Sequence, residues 1–270
     1  MAVPDPCRTI FDRISSMFNF SIEQTDNTVV SVYPFGDQIY TMTEVPVLYQ
    51  IDPESLETIG QKRLPRSLIV FHTAHPHVMS NGDIFETAEV VGSMKPRWRL
   101  NPAYMHSFGL TENYFVIIEQ PLCVSLVNMV RRYIVPEPFS TTIVSYPEYE
   151  TNIILIHRET GATTQYTTDT LFFMHIINCF ELDGKVLVDL CTYKDGNIID
   201  AMHLDAIKNM QSNPDYGQWA RSRPKRITIP IDAPENTKVE ATLLADVGVE
   251  MPRINYEMYN GNHNINLHKS

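Results

Sequence analysis

The chain has 270 residues, of which 43% are hydrophobic and 20% are charged, and its formal net charge is −11. This composition can bury a sizeable core and excludes wholesale disorder. The acidic balance argues against binding to a nucleic-acid backbone, which requires a cationic face, so we expect no nucleic-acid partner. Glycine is scarce at 11 residues, and neither GxGxxG nor GxxxxGK[ST] occurs, which argues against a phosphate-binding loop.

The four cysteines, Cys7, Cys123, Cys179 and Cys191, are scattered along the chain without a CxxC pair. This spacing argues against a disulfide scaffold or a zinc ribbon, and it predicts a reducing compartment, so we expect a cytoplasmic protein. The first residues lack the basic and apolar regions of a signal peptide, and no apolar run approaches the ~18 residues of a spanning helix. No linker or low-complexity stretch marks a boundary, so we expect residues 1–270 to form a single domain.

The first predicted element is an amphipathic helix over Arg8–Phe20, which places five apolar side chains on one stripe of 3.6-residue period. The stripe consists of Ile10, Phe11, Ile14, Met17 and Phe18. Two interpretations stay open: the helix packs on the core of the protein, or it lies in a membrane interface.

After this helix, short β-rich runs separated by turns dominate the sequence. In chain order the runs are Val29–Tyr33, Gln38–Met42, Val47–Ile51, Leu68–Phe71, Tyr114–Ile118, Thr142–Val144, Ile153–Ile156, Lys185–Leu190, Ile227–Ile231 and Val239–Leu244. Their spacing near ten residues is typical of a sandwich, barrel or propeller. The similar turn segments Ile51–Thr58 and His157–Thr163 give weak support for a blade repeat. A second short helix is predicted over Asp205–Met210.

Histidines provide the candidate chemistry. Three of them, His72, His75 and His77, follow a strand; His106 precedes a turn; and His175 lies inside an apolar run. For any one histidine, a hydrogen-bonded core role is more common than metal ligation. A buried imidazole nevertheless needs partners for both ring nitrogens, and a metal on one with a carboxylate on the other would supply them. Strands that converge on an axis could therefore assemble a non-local histidine site.

The segments around these histidines resemble the carotenoid cleavage oxygenase family, most closely its animal branch. The resemblance rests on Thr73–His77, Tyr104–Tyr114 and His175–Asn178, together with Pro4–Cys7, Asp52–Thr58, Val188–Cys191 and Pro252–Tyr256. It covers nearly the whole chain in order. It implies an all-β fold with few helices, as part of a seven-bladed β-propeller.

The resemblance also implies the site. In this family one Fe(2+) ion is held on the propeller axis by four histidines, three of which are hydrogen-bonded to glutamates. Carried over, His75, His106 and His175 match the first three ligands, and Glu44 matches one of the glutamates. His77 resembles a neighbouring histidine that is not a ligand, and His72 matches nothing in the pattern.

The implied function is cleavage of a carotenoid C=C bond by an iron(II)-dependent dioxygenase, which gives retinal-type apocarotenals. The expected partners are a carotenoid or retinoid substrate and dioxygen. Four neutral imidazoles would leave the ion with its full charge and with open positions, unlike the two-histidine, one-carboxylate site. Two alternatives stay open: a retinyl-ester isomerohydrolase of the same family, and a non-catalytic retinoid- or carotenoid-binding fragment.

The chain departs from the family pattern in its extent. Family members are about twice as long, so about half of the blades are expected here. We expect the fourth histidine and the remaining glutamates to lie beyond Tyr256, because His263 and His268 lack the neighbours of the motif. The stretch between His77 and His106 is short by about one strand pair. We therefore expect a fragment that is inactive by itself.

The resemblance adds to the membrane hypothesis. The matching Pro-Asp-Pro-Cys segment is membrane-associated in the family, which makes Cys7 an acylation candidate, and we expect peripheral membrane contact through Cys7 and Arg8–Phe20. A single acyl chain anchors a protein only marginally, so the apolar stripe would have to contribute as well.

Overall fold

The structure is a computed structural model that describes residues 28, 30–63, 69–79, 83–85, 88–90, 101–132, 135 and 137–259. The strands in this part are β1 (Ser31–Phe35), β2 (Gln38–Met42), β3 (Val47–Ile51), β4 (Thr58–Arg63), β5 (Ile69–His72), β6 (His77–Val78), β7 (Ile84–Phe85), β8 (Ala88–Val90), β9 (Gly109–Leu110), β10 (Tyr114–Glu119), β11 (Leu122–Val124), β12 (Ile143–Ser145), β13 (Thr151–His157), β14 (Thr163–Thr168), β15 (Phe172–Leu182), β16 (Lys185–Tyr193), β17 (Arg223–Pro230), β18 (Thr237–Lys238) and β19 (Ala241–Leu243). The helices are α1 (Leu126–Arg131), α2 (Ile198–Ala201), α3 (Leu204–Lys208), α4 (Tyr216–Trp219) and α5 (Tyr256–Tyr259), with a 3₁₀ turn at Phe139–Thr142.

The described residues form two compact units. The first contains the residues up to Met105 together with Ser125–Thr142, and the second contains His106–Val124 and the residues from Ile143 onward. The first unit is built on a four-stranded antiparallel sheet in the order β1-β2-β3-β4. Its β3–β4 connection is fixed by Asp52, whose Oδ1 accepts hydrogen bonds from the N–H groups of Glu54 and Ser55 at 3.0 and 2.7 Å. This is the side-chain turn that aspartate favours before proline.

The second unit contains a five-stranded sheet, β18-β14-β13-β10-β9, and a four-stranded sheet, β15-β16-β17-β19. Residues of both sheets share one hydrophobic core, to which Val116, Ile153, Phe173, Val188 and Ile227 contribute fully buried side chains. In β13 burial alternates along the strand, as expected where one face of a sheet is covered. In β16 every residue after the first is buried, which indicates cover on both faces.

Most predicted strands are confirmed, and Gln38–Met42 and Val47–Ile51 have the predicted bounds. The predicted helix over Asp205–Met210 corresponds to α3. Cys7 and the predicted helix Arg8–Phe20 lie outside the described residues. Among the residues that the structure describes, no helix is long and apolar enough to cross a bilayer.

Candidate metal centre

His175 lies in an irregular part of β15. Phe173 pairs with Thr192 and Ile176 with Leu190, so two residues of β15, Met174 and His175, stand opposite one residue of β16. A second register shift follows between Ile176 and Asn178. Such bulges bend a strand and redirect a side chain, and they are common next to functional sites. The bulge explains how an imidazole can leave the alternation of an otherwise apolar strand.

His106 lies close to His175 within the second unit. Their Nε2 atoms are 3.3 Å apart, and the rings meet edge to face at 76° with centroids 4.9 Å apart. His106 lies just before β9, and the neighbouring Ser107 donates a hydrogen bond from its Oγ to the carbonyl of Met174 at 2.6 Å. The two histidine segments are therefore linked through the residues beside them.

Glu250 forms a hydrogen bond with Nδ1, the other ring nitrogen of His175. Its Oε2 lies 2.9 Å from His175 Nδ1 and 2.8 Å from the backbone nitrogen of Met251, and its Oε1 accepts from the Tyr193 hydroxyl. An ionised carboxylate can only accept hydrogen bonds, and Glu250 already accepts two. The third bond therefore requires a proton on His175 Nδ1, which acts as the donor. This tautomer leaves the lone pair of His175 on Nε2, which faces His106.

Burial and hydrogen bonding oppose each other at Glu250. Burial disfavours its charge, but the hydrogen bonds from His175, Tyr193 and Met251 outweigh this effect, so its pKa lies below the usual range. Burial, and then the hydrogen bond to Glu250, raise the pKa of Tyr193. Burial and the charge of Glu250 likewise raise the pKa of Cys191, which stands opposite the bulge, to about 12. Glu250 is therefore the charged member of this group, and Tyr193 and Cys191 stay protonated.

The donor set fits a divalent transition metal. Two nitrogen ligands at ~2.1 Å from one ion and roughly at right or tetrahedral angles to each other are separated by about 3.0–3.4 Å, and the observed Nε2–Nε2 distance is 3.3 Å. A carboxylate on the far nitrogen of a ligating histidine is the usual arrangement in metalloproteins.

The other two predicted site residues, His75 and Glu44, belong to the first unit. The N–H of His75 donates to Thr73 Oγ1 at 3.0 Å. The Tyr104 hydroxyl lies 2.8 and 2.9 Å from the two carboxylate oxygens of Glu44. His72, which matched no family position, is 2% exposed. Its backbone N–H donates to the Glu44 carbonyl at 3.0 Å, and its ring Nε2 donates to the Val45 carbonyl at 2.6 Å. His72 therefore fixes the backbone at Glu44 and Val45.

The structure brings His106 and His175 together and adds one carboxylate, Glu250, that the sequence motifs did not predict. The prediction that the remaining glutamates lie beyond Tyr256 is wrong for Glu250, whose Oε2 lies 2.9 Å from His175 Nδ1. The available signal was its position, because Glu250 lies two residues before the Pro252–Tyr256 segment that carries part of the resemblance. The role of Glu44 as a partner of a ligand histidine stays a prediction.

Comparison with known proteins gives a consistent family assignment. The family model described as retinal pigment epithelial membrane protein matches residues 5–265. A carotenoid isomerooxygenase of Galleria mellonella is 47% identical over 96% of this chain and 56% of its own length. The carotenoid isomerooxygenase of Drosophila melanogaster is 40% identical over 85% of this chain and 41% of its own length. The β,β-carotene 15,15′-dioxygenase of Gallus gallus is 29% identical over 97% of this chain and 60% of its own length. The chain thus spans about half the length of the curated relatives it matches.

Solved structures show the same fold. A variant of the Synechocystis apocarotenoid oxygenase has a TM-score of 0.67 at 16% identity, over 90% of this chain and 54% of the other. The lignostilbene dioxygenase of Pseudomonas brassicacearum has a TM-score of 0.65 at 20% identity, over 89% of this chain and 52% of the other. The prediction of an all-β, propeller-class fold with few helices is confirmed. The match over residues 5–265 shows that the chain belongs to the retinal pigment epithelial membrane protein family, the family of the carotenoid oxygenases.

Proposed function

We propose that the whole protein is an iron(II)-dependent dioxygenase that cleaves a C=C bond of a carotenoid and releases retinal-type apocarotenals. The observation that carries the proposal is the His106–His175 pair, with Nε2 atoms 3.3 Å apart and Glu250 fixing the tautomer of His175. The names of the relatives favour the substrate class, since the Galleria and Drosophila proteins are carotenoid isomerooxygenases. These names also favour oxygenase chemistry over the isomerohydrolase alternative.

We propose His75, His106 and His175 as ligands of Fe(2+). When bound, the ion would supply the redox chemistry with dioxygen that side chains lack. The residues of this chain have the supporting tasks. His106 and His175 offer neutral nitrogen donors, and Glu250 keeps the proton of His175 on Nδ1, so that Nε2 stays available. For Glu44, which Tyr104 holds through both oxygens, we propose the same task toward another ligand histidine.

The proposed partners are a carotenoid or retinoid and dioxygen. Such polyenes dissolve in bilayers, so an enzyme that extracts them must reach a membrane surface. We therefore propose a cytoplasmic protein with peripheral membrane contact through Cys7 and Arg8–Phe20. A vesicle flotation assay in which Ile14→Glu binds as well as the parent protein would contradict this membrane contact.

The activity can be tested on the whole protein with β-carotene, with and without air, by chromatography of retinal and by iron content per chain. We expect retinal only in air, and we expect His106→Ala and His175→Ala to lose both iron and product. His157→Asn is the matched control, because His157 ends β13 and its Nδ1 accepts from the local N–H groups of Glu159 and Thr160. Full iron retention by His175→Ala would refute the metal centre. Anaerobic turnover of a retinyl ester would instead favour the isomerohydrolase.

A further inference from the structure

We propose that Gln120 is a positioning residue for His175. Its carboxamide makes the two backbone hydrogen bonds that a neighbouring strand would otherwise make to β15, and so fixes the bulge from which the imidazole projects. This inference rests on the proposed metal centre. Gln120 follows directly after β10 and is 0% exposed, and both ends of its carboxamide bond the backbone of Phe173. It would therefore act through the backbone of Phe173.

The carboxamide of Gln120 makes both hydrogen bonds that an antiparallel strand would make to one residue. Its Nε2 donates to the carbonyl of Phe173 at 2.9 Å, and its Oε1 accepts from the N–H of Phe173 at 2.9 Å. Neighbouring antiparallel strands exchange the same pair of bonds between opposite residues. Among the described strands β15 is the terminal strand of its sheet, so Gln120 satisfies backbone groups on the side that faces away from β16.

These bonds act directly beside the irregular part of the pairing between β15 and β16. The register shifts on both sides of Ile176, so the strand beside His175 is only partly held by its neighbour. Side chains supply the missing restraints: Gln120 holds Phe173, and Ser107 Oγ donates to the Met174 carbonyl at 2.6 Å. On the far side of the bulge, Asn178 Nδ2 donates to the Tyr259 carbonyl at 3.0 Å.

A bulge without such restraints can move along its strand. Moving the extra residue by one position would turn His175 toward the opposite face of the sheet, since side-chain direction alternates with a period of two. The restraint on Phe173 prevents this shift two residues before the imidazole. Loss of Gln120 should therefore disturb the position of His175 Nε2 relative to His106 even if the protein remains folded.

The test uses Gln120→Met, which nearly keeps the volume and removes both hydrogen bonds. Tyr166→Phe is the matched control, because Tyr166 is 1% exposed in the same core and its hydroxyl donates to the Pro230 and Ile231 carbonyls, away from the bulge. The whole protein and both variants are compared by hydrogen exchange in the metal-free state and by titration with Co²⁺, whose visible spectrum reports ligand geometry. Thermal unfolding verifies that each variant is folded.

For Gln120→Met we expect amide exchange over residues 172–177 to become at least about tenfold faster, Co²⁺ affinity to fall by ~10–100-fold, and the Co²⁺ spectrum to change. Tyr166→Phe should match the parent protein in amide exchange, Co²⁺ affinity and Co²⁺ spectrum. Unchanged exchange, or faster exchange with unchanged Co²⁺ affinity and spectrum, would overturn the positioning role. Absence of Co²⁺ binding by the parent protein would instead refute the metal centre.

Should Gln120→Met not fold, Gln120→Asn tests the same inference with a side chain that stays polar. Its carboxamide is one methylene shorter and cannot make both bonds to the backbone of Phe173, so we expect smaller changes of the same sign in exchange and in Co²⁺ affinity. Parent-like exchange and affinity in a folded Gln120→Asn variant would count against the positioning role.

Discussion

Replacing Glu250 by Gln should weaken binding of the proposed metal ion at His175 while the hydrogen bonds of Glu250 to His175, Tyr193 and Met251 are kept. The amide oxygen can take the place of Oε2, which accepts from His175 Nδ1 at 2.9 Å and from Met251 N–H at 2.8 Å. The amide nitrogen then faces the Tyr193 hydroxyl, which can accept instead of donate. These three contacts survive, and the negative charge that makes the imidazole a better donor is lost.

The magnitude follows from this comparison. Loss of a carboxylate behind a ligating histidine costs ~10–100-fold in metal affinity, which corresponds to about 1.4–2.7 kcal/mol. The loss of metal affinity in Glu250→Gln should lie near the lower value, because the hydrogen bonds of the side chain are kept. Glu250→Ala should lie near the upper value, because His175 Nδ1 loses its acceptor and the tautomer is no longer fixed.

The assay is calorimetric titration of the metal-free whole protein with Fe²⁺ under nitrogen and with Co²⁺. Glu240→Gln is the control, since Glu240 is an exposed residue of the same unit, and it should bind both ions as the parent does. Parent-like affinity of a folded Glu250→Ala variant would refute the inference that this carboxylate supports a ligand histidine.

Three further predictions concern stability. Asp189→Asn should lower the free energy of unfolding by about 3 kcal/mol in urea titration, because the buried carboxylate pairs with Arg226 through two bonds of 2.7 Å; an unchanged value would contradict this. Burial disfavours the charge of Glu181, but its hydrogen bonds outweigh this effect and lower its pKa. Its contribution to the free energy of unfolding is therefore fully present above the unfolded pKa near 4.5 and is lost as the pH falls through the lower folded pKa. Glu181→Gln should flatten the acid limb of a plot of Tm against pH. Gly109→Ala should destabilise by ~1–3 kcal/mol, since its Cβ would lie 3.0 Å from Cys179 Sγ; a parent-like Tm would refute this close approach.

The sequence predicts the strands of this chain well where turns separate them. β2 and β3 are bounded by Gly36-Asp37 and Asp52-Pro53, whose conformational preferences are local, and their predicted bounds are observed. β15 is different, because its residues form a continuous apolar run with no alternation before the bulge. Periodicity alone cannot separate a buried strand from a buried helix in such a run. The longest strand among the described residues, which carries His175, is therefore not predicted by periodicity.

The histidines were identified through their motifs, but Glu250, the partner of His175, was not. Glu250 lies 75 residues from His175 in sequence and contacts it only because β16 and the segment after β19 return to the same place. No local pattern distinguishes this glutamate from exposed ones such as Glu240. A partner that is distant in sequence can be inferred only through a neighbouring motif, which for Glu250 is the Pro252–Tyr256 segment.

Gln120 and His72 show why the supporting polar residues were the hardest to predict. In sequence, Gln120 precedes a proline at the end of a strand, where a glutamine is expected in a solvated turn. In the structure it is 0% exposed, and both ends of its carboxamide bind one residue of β15. His72 likewise holds two backbone carbonyls. Each replaces a backbone partner that an irregular strand or loop lacks, and burying its polar groups would be costly without those bonds. Such residues are therefore defined by irregularities of the fold, which sequence periodicity does not encode.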